Sequence, residues 1–139
     1  MVYQLKEKKT VTNPRDVVDI LQTILSKENE IDQQKEHFFT IGLNSRNVIQ
    51  YIDLVSLGTL DSSLVHPREV FRLAIMKGVA SIIIAHNHPS GDTEPSGDDL
   101  TTTKRLVEAG KIVGIEILDN LIITTNGFFS FANKGLINS

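Results

Sequence analysis

Apolar residues recur at helical spacing at Val17, Ile20, Leu21, Ile24 and Leu25, and the preceding Asn13-Pro14 offers an N-cap followed by proline in the first helical position. The pattern predicts one amphipathic helix ending near Lys27, preceded by a short extended start and followed over 26–35 by a polar, acidic connector. From Glu36 the period changes. Residues 38–43 and 48–57 read as two strands joined by a turn at Asn44-Ser45-Arg46-Asn47, an expected antiparallel pair. Residues 58–63 form a loop, and Pro67 opens a second helix whose Val70, Phe71, Ala74 and Ile75 make an apolar stripe that stops at Gly78.

The next segment, Val79-Ala80-Ser81-Ile82-Ile83-Ile84-Ala85, has no polar alternation, which predicts a strand covered on both faces at the centre of a sheet. It runs directly into His86. Beyond a Pro-, Gly- and Asp-rich loop, a third helix is expected over about 97–109, stopped by Gly110. Strands over 115–125 and 128–131 then flank Asn126-Gly127, a strong hairpin signal. The order α-ββ-α-β-α-ββ predicts an α/β fold, a mixed sheet with helices on its faces. Polar groups at the end of its central strand make the natural site.

At 139 residues the chain fits one compact domain, and 40% apolar with 22% charged residues is ordinary globular usage that argues against a disordered or collagen-like chain. The 14 Lys and Arg against 17 Asp and Glu leave a net charge of −3 with no basic run, which speaks against direct nucleic-acid binding by phosphate neutralisation. The absence of cysteine removes disulfides, thiolate catalysis, zinc fingers and the Cys-containing zinc deaminase site. Any metal must sit on histidine and carboxylate. Residues 1–10 are polar, with Lys6, Lys8 and Lys9 and no apolar core behind them, so they are neither a signal peptide nor a membrane span, and a cytoplasmic location is expected.

If the central strand continues through His86 and His88, their side chains point to one face with backbones about 6.6 Å apart, and the imidazoles can converge on one ion. The loop then leads to Ser96 and to Asp99 in the first turn of the next helix, where a carboxylate can close the triangle. Two imidazoles and one carboxylate leave a fourth tetrahedral position for water, the pattern of a catalytic zinc site, although the same donors also suit iron or manganese. Each residue alone has a plainer explanation: a histidine at a strand end packs, and Ser96-Gly97-Asp98-Asp99 is a helix N-cap with an acid three positions on. Their joint occurrence, with Asp92, Glu94, Asp98 and Asp99 and no base among them, favours metal. Capping and ligation are compatible, since Ser96 can cap while Asp99 binds.

His-x-His followed after seven residues by Ser and after two more by Asp, here His86, His88, Ser96 and Asp99, resembles the JAMM motif of the JAB1/MPN metallopeptidase-like superfamily. GTLDSSLVHPREVFRLAI and ASIIIAHNHPSGDTEPSGDDLTTTKRLVEAGKIVGIEILDNLIIT resemble the C-terminal domain of the RadC-like family, over nearly all of 36–136. The resemblance implies a mixed β-sheet sandwiched by helices, similar to the cytidine-deaminase-like architecture. Residues 1–35 would be an N-terminal extension with a helix, and 36–139 the JAB/MPN domain. It implies one Zn2+ per chain held by His86, His88 and Asp99, with Glu36 as the base that takes a proton from zinc-bound water and passes it to the leaving amine. Ser96 would help to stabilise the oxyanion.

The implied activity is JAMM-type hydrolysis of a peptide or isopeptide bond in a protein or peptide substrate. A DNA-repair-associated accessory protein or metal-dependent nuclease, and a non-catalytic scaffold, are the alternatives. Longer RadC-like proteins carry a helix-hairpin-helix module, whereas only a short start, one helix and a connector precede Glu36 here, as in stand-alone members, so a DNA-repair role is weakly supported. HNH-type nucleases spread their residues over a ββα unit, unlike the tripeptide His86-Asn87-His88. His37 is expected at the surface and His66 as an N-cap or loop packing residue. Asp61, Ser62 and Ser63 lie where they could reach the rim of the cleft. Edge strands, particularly the one ending near Asn133, leave pairing between copies of the chain open.

Overall fold

The computed structural model describes residues 1–58 and 65–137. In chain order the elements are β1 (Val2–Tyr3), α1 (Pro14–Ser26), α2 (Glu30–Gln33), β2 (Glu36–Leu43), β3 (Ile49–Gly58), α3 (Pro67–Lys77), β4 (Ser81–Asn87), α4 (Gly97–Val113), β5 (Glu116–Ile123) and β6 (Phe128–Ser130). The strands form one sheet in the order β1-β3-β2-β4-β5-β6. β4 and β5 are parallel, as the crossover through α4 requires, and the other pairs are antiparallel. The sheet is therefore mixed, as expected.

β4 is apolar from Ile82 to Ala85 because both faces of that stretch are covered. Ile82 and Ile84 join Val70, Phe71 and Ala74 of α3 and Leu106 of α4 in one core, while Ile83 and Ala85 join Val17, Val18 and Leu21 of α1 in the other. The helices thus sandwich the sheet, and every side chain of β4 is buried. α1 begins where Asn13-Pro14 predicts, and its Asp16 carboxylate accepts the backbone N–H groups of Thr12 and Asn13.

Several local expectations are corrected. Within the polar connector, one helical turn, α2, is capped by Asn29, whose side chain accepts the Asp32 N–H. Ile75 points away from the α3 stripe and is 58% exposed, leaving Val70, Phe71 and Ala74 as the buried face. α4 does not stop at Gly110: it continues to Val113 and ends on Gly114, whose φ of 79° is the left-handed cap geometry. Gly110 serves packing instead, since a Cβ there would lie 2.4 Å from the Ile115 carbonyl oxygen and 3.2 Å from Cζ of Phe71.

The β5–β6 hairpin forms, but its loop closes through Thr124 N–H on the Gly127 carbonyl at 3.0 Å. Neither Asn126 nor Gly127 takes the positive φ of a type I′ turn. The expected loop over 58–63 lies, apart from Gly58, outside the described residues. Among the described residues no helix is long and apolar enough to cross a membrane.

Candidate metal centre

The register of β2 against β4 builds the site. Phe38 lies directly opposite His86 in the antiparallel ladder, so their side chains share a face, and alternation places Glu36 on that face too. The Phe38 ring lies nearly parallel to the His86 imidazole, with centroids 6.3 Å apart and planes at 11°. His88 sits one residue past the end of β4 but is held in line by its N–H, which donates to the Ile123 carbonyl at 2.9 Å. Both imidazoles therefore face the start of α4.

α4 delivers the carboxylate. Ser96 Oγ accepts the Asp99 N–H at 3.0 Å, and Asp99 Oδ2 accepts the Ser96 N–H at 2.9 Å, a reciprocal cap that fixes the Asp99 side chain at the helix start. Its Oδ1 lies 3.2 Å from His86 Nε2, and its Oδ2 3.2 Å from His88 Nε2. His86, His88 and Asp99 each offer one ligand atom, all within 4.8 Å of one another. For comparison, bonds of about 2.0–2.2 Å around a tetrahedral ion set ligand atoms about 3.3–3.6 Å apart.

The donors are also prepared chemically. His88 Nδ1 lies 2.8 Å from the Asp92 carbonyl oxygen. A carbonyl only accepts, so Nδ1 carries a proton, and in its neutral form the ring would present the Nε2 lone pair to the cluster, the usual outer-shell arrangement of a metal-binding histidine. His86 Nε2 is buried without a hydrogen bond, because its approach to Asp99 Oδ1 lacks hydrogen-bond geometry. A buried nitrogen left unpaired is costly in an empty protein interior and suited to an ion.

Opposing influences act on the Asp99 carboxyl. Burial works to raise its pKa, but the two imidazoles and the Ser96 N–H together hold it well below the ordinary carboxylate range. The His88 imidazole is raised by its contact with Asp99 against the opposing effect of burial, with further help from the Asp92 carbonyl and the charges of Asp99 and Glu36. Behind the cluster, Thr103 Oγ1 donates to the Asp99 carbonyl at 2.6 Å and accepts from Asn120 Nδ2 at 2.7 Å, tying the first turn of α4 to β5.

The cluster opens into a cavity of about 690 Å³ whose wall includes Glu36, Ser96, His86, His88 and Asp99. The structure thus gathers the five residues singled out in the sequence. His37 departs from expectation: it is fully buried, stacks on Phe39 with centroids 5.8 Å apart, and places Nδ1 2.9 Å from the Lys35 carbonyl oxygen. Its position on the face of β2 opposite Glu36, the face covered by α1, explains the burial. His66 occupies the N-cap position of α3 without a side-chain capping bond. Asp61, Ser62 and Ser63 lie outside the described residues.

Sequence reasoning passed over Asn87, the Asp92 carbonyl, Thr103 and Asn120. The signal available for Asn87 was its place between the two histidines that follow an apolar strand.

Residues 11–136 match the family model described as the RadC-like JAB domain. Among curated proteins, the chain is 48% identical to a UPF0758 protein of Desulforamulus reducens over 124 residues, 89% of this chain and 52% of that protein. It is 50% identical to one of Moorella thermoacetica over 91% of this chain and 53% of the relative, and 44% identical to one of Clostridium acetobutylicum over 97% and 57%. The chain spans about half the length of these relatives. With nearly the whole of its length matched, and with the mixed sheet and the His-His-Asp cluster in place, this chain belongs to the RadC-like JAB domain family.

Proposed function

We propose that this domain is a zinc-dependent hydrolase of peptide or isopeptide bonds. The observation that carries the reading is the convergence of two imidazole nitrogens and one carboxylate at the floor of an open cavity, with a further carboxylate, Glu36, on the same wall. Two nitrogens and one oxygen suit zinc, and three protein ligands leave a coordination position for chemistry. The chemistry a bound zinc supplies is Lewis acidity, with the pKa of coordinated water brought close to neutrality.

The remaining work falls to the chain. His86, His88 and Asp99 hold the ion, and the Asp92 carbonyl keeps His88 in the ligating tautomer. Glu36, on the same cavity wall, accepts a proton from the attacking water and returns it to the leaving amine. Ser96 Oγ already accepts the Asp99 N–H, so its own hydrogen is available to the substrate carbonyl oxygen as that oxygen gains charge.

The cavity wall favours an amide over a phosphodiester. It carries Glu36, Asp92, Glu94, Asp98 and Asp99 against one lysine, Lys35, whose ammonium is 3.0 Å from Asp32 Oδ1. Phosphate would meet repulsion there except where a bound metal ion bridged it.

Elemental analysis of protein purified without added metal is the first test, with about one zinc per chain expected and none in the His86→Ala, His88→Ala double variant. Glu36→Gln should keep the zinc and lose turnover of peptide and isopeptide substrates by roughly 10²–10⁴. Turnover that survives Glu36→Gln removes the assigned base. A wild-type chain that takes up no zinc when it is offered removes the hydrolase reading altogether.

A further inference from the structure

The β2–β4 ladder pairs Phe38 with His86 as its last rung. Continued by two residues, that register would set His37 opposite Asn87 and Glu36 opposite His88. The backbone of Asn87 and His88 stays paired with β5 on the other side, through the Asn87–Ile123 rung and the His88 N–H. The connection to β2 is made by a side chain instead: Asn87 Oδ1 accepts the His37 N–H at 2.5 Å, and Asn87 Nδ2 donates to the Lys35 carbonyl at 3.1 Å.

These two bonds bracket Glu36. One holds the carbonyl of the residue before it and the other the N–H of the residue after it, so both peptide links flanking Glu36 are fixed by one amide. The amide is 95% buried in residue terms, Asn87 being 5% exposed, and no solvent competes for these partners. Lys35 and Gln34, immediately before this point, are exposed. β2 is thus pinned on its β4 side at its first residue, which on the other side pairs with Gly58 of β3.

We infer that Asn87 is a positioning residue that acts through Glu36, its side-chain amide replacing the missing rung and holding the Glu36 backbone opposite His88. The inference rests on the reading of Glu36 as the base. The chemistry requires an amide of this length: aspartate keeps the acceptor for His37 but sets a carboxylate oxygen against the Lys35 carbonyl, and alanine or serine spans neither gap. Asn87 itself faces the side of the sheet opposite the ligand nitrogens, as alternation from His86 and His88 dictates, and it is not a ligand.

The test uses the full chain loaded with Co2+, whose visible spectrum is followed across pH in the wild type, Glu36→Gln, Asn87→Ala and the double variant, beside amide hydrogen exchange at His37. Asn87→Ala is expected to keep its Co2+ and to shift the spectral midpoint in the direction set by Glu36→Gln. It should add nothing in the Glu36→Gln background and speed His37 exchange by about tenfold or more. Asn87→Ser, run in parallel, should behave as alanine does and covers the case in which one variant fails to fold.

If Glu36→Gln moves the midpoint while the Asn87 variants leave it at the wild-type value, or move it equally without Glu36, the positioning role is overturned and the base reading stands. If Glu36→Gln itself moves nothing, the base reading falls and takes the role of Asn87 with it.

Discussion

Asp119 lies in β5, where its Oδ1 accepts the N–H groups of Asn120 and Ala132 and its Oδ2 accepts the Ser130 hydroxyl at 2.6 Å. Burial raises its pKa above the ordinary aspartate value, and the hydrogen bonds only partly oppose this. A carboxyl whose folded pKa exceeds its unfolded one contributes stability below the unfolded value and loses it as pH rises through the folded value. Asp119→Asn keeps an acceptor for the two N–H groups and carries no charge. Thermal melts of both proteins from acid to neutral pH should therefore show the wild type losing ground to the variant as pH rises; a constant difference would show that Asp119 titrates alike in both states. At this scale the candidate ligands were legible and their supports were not. His86, His88 and Asp99 announce themselves by spacing, whereas the roles of His37 and Asn87 come from strand pairing between residues fifty positions apart.

α4 shows what periodicity conveys about an element and what it hides. Its start was legible, because Ser96 and Asp99 carry both halves of a capping box in the sequence itself. Its end was not, because glycine has two uses: Gly114 is needed for its positive φ, and Gly110 for the absence of a Cβ against Ile115 and Phe71. Only the fold separates them. Gly110→Ala would gain helix propensity but push into a backbone oxygen that cannot swing away, and overpacking costs about 1–3 kcal/mol. Denaturant melts should show that loss at Gly110→Ala; a stabilised variant would mean that the Ile115 carbonyl and Phe71 give way easily. The Asn126-Gly127 hairpin was likewise legible as a hairpin, while its turn type was set by Thr124 bonding across the loop to Gly127.

For the molecule as a whole, the sheet order brings the start of β2, the end of β4 and the start of α4 to one place, although the chain separates Glu36 from Asp99 by three intervening elements. The element order made this convergence expected, but the two faces of β4 packing on different helices is what fixes it. An ion bound by His86, His88 and Asp99 would join the sheet to α4 across a cluster that otherwise sets a carboxylate between two imidazoles. Such a ligand binds the folded chain and not the unfolded one, so zinc at about 100 times its Kd should add about 2.7 kcal/mol. For a domain of this length that corresponds to a rise in melting temperature on the order of 10 °C over chelator-treated protein. His88→Ala removes one ligand without touching the Ser96–Asp99 cap, so its melting temperature should be the same with zinc as with chelator. An equal rise in that variant would place the stabilising ion elsewhere on the chain, and His86 and Asp99 would then be reduced to a close contact that joins β4 to α4.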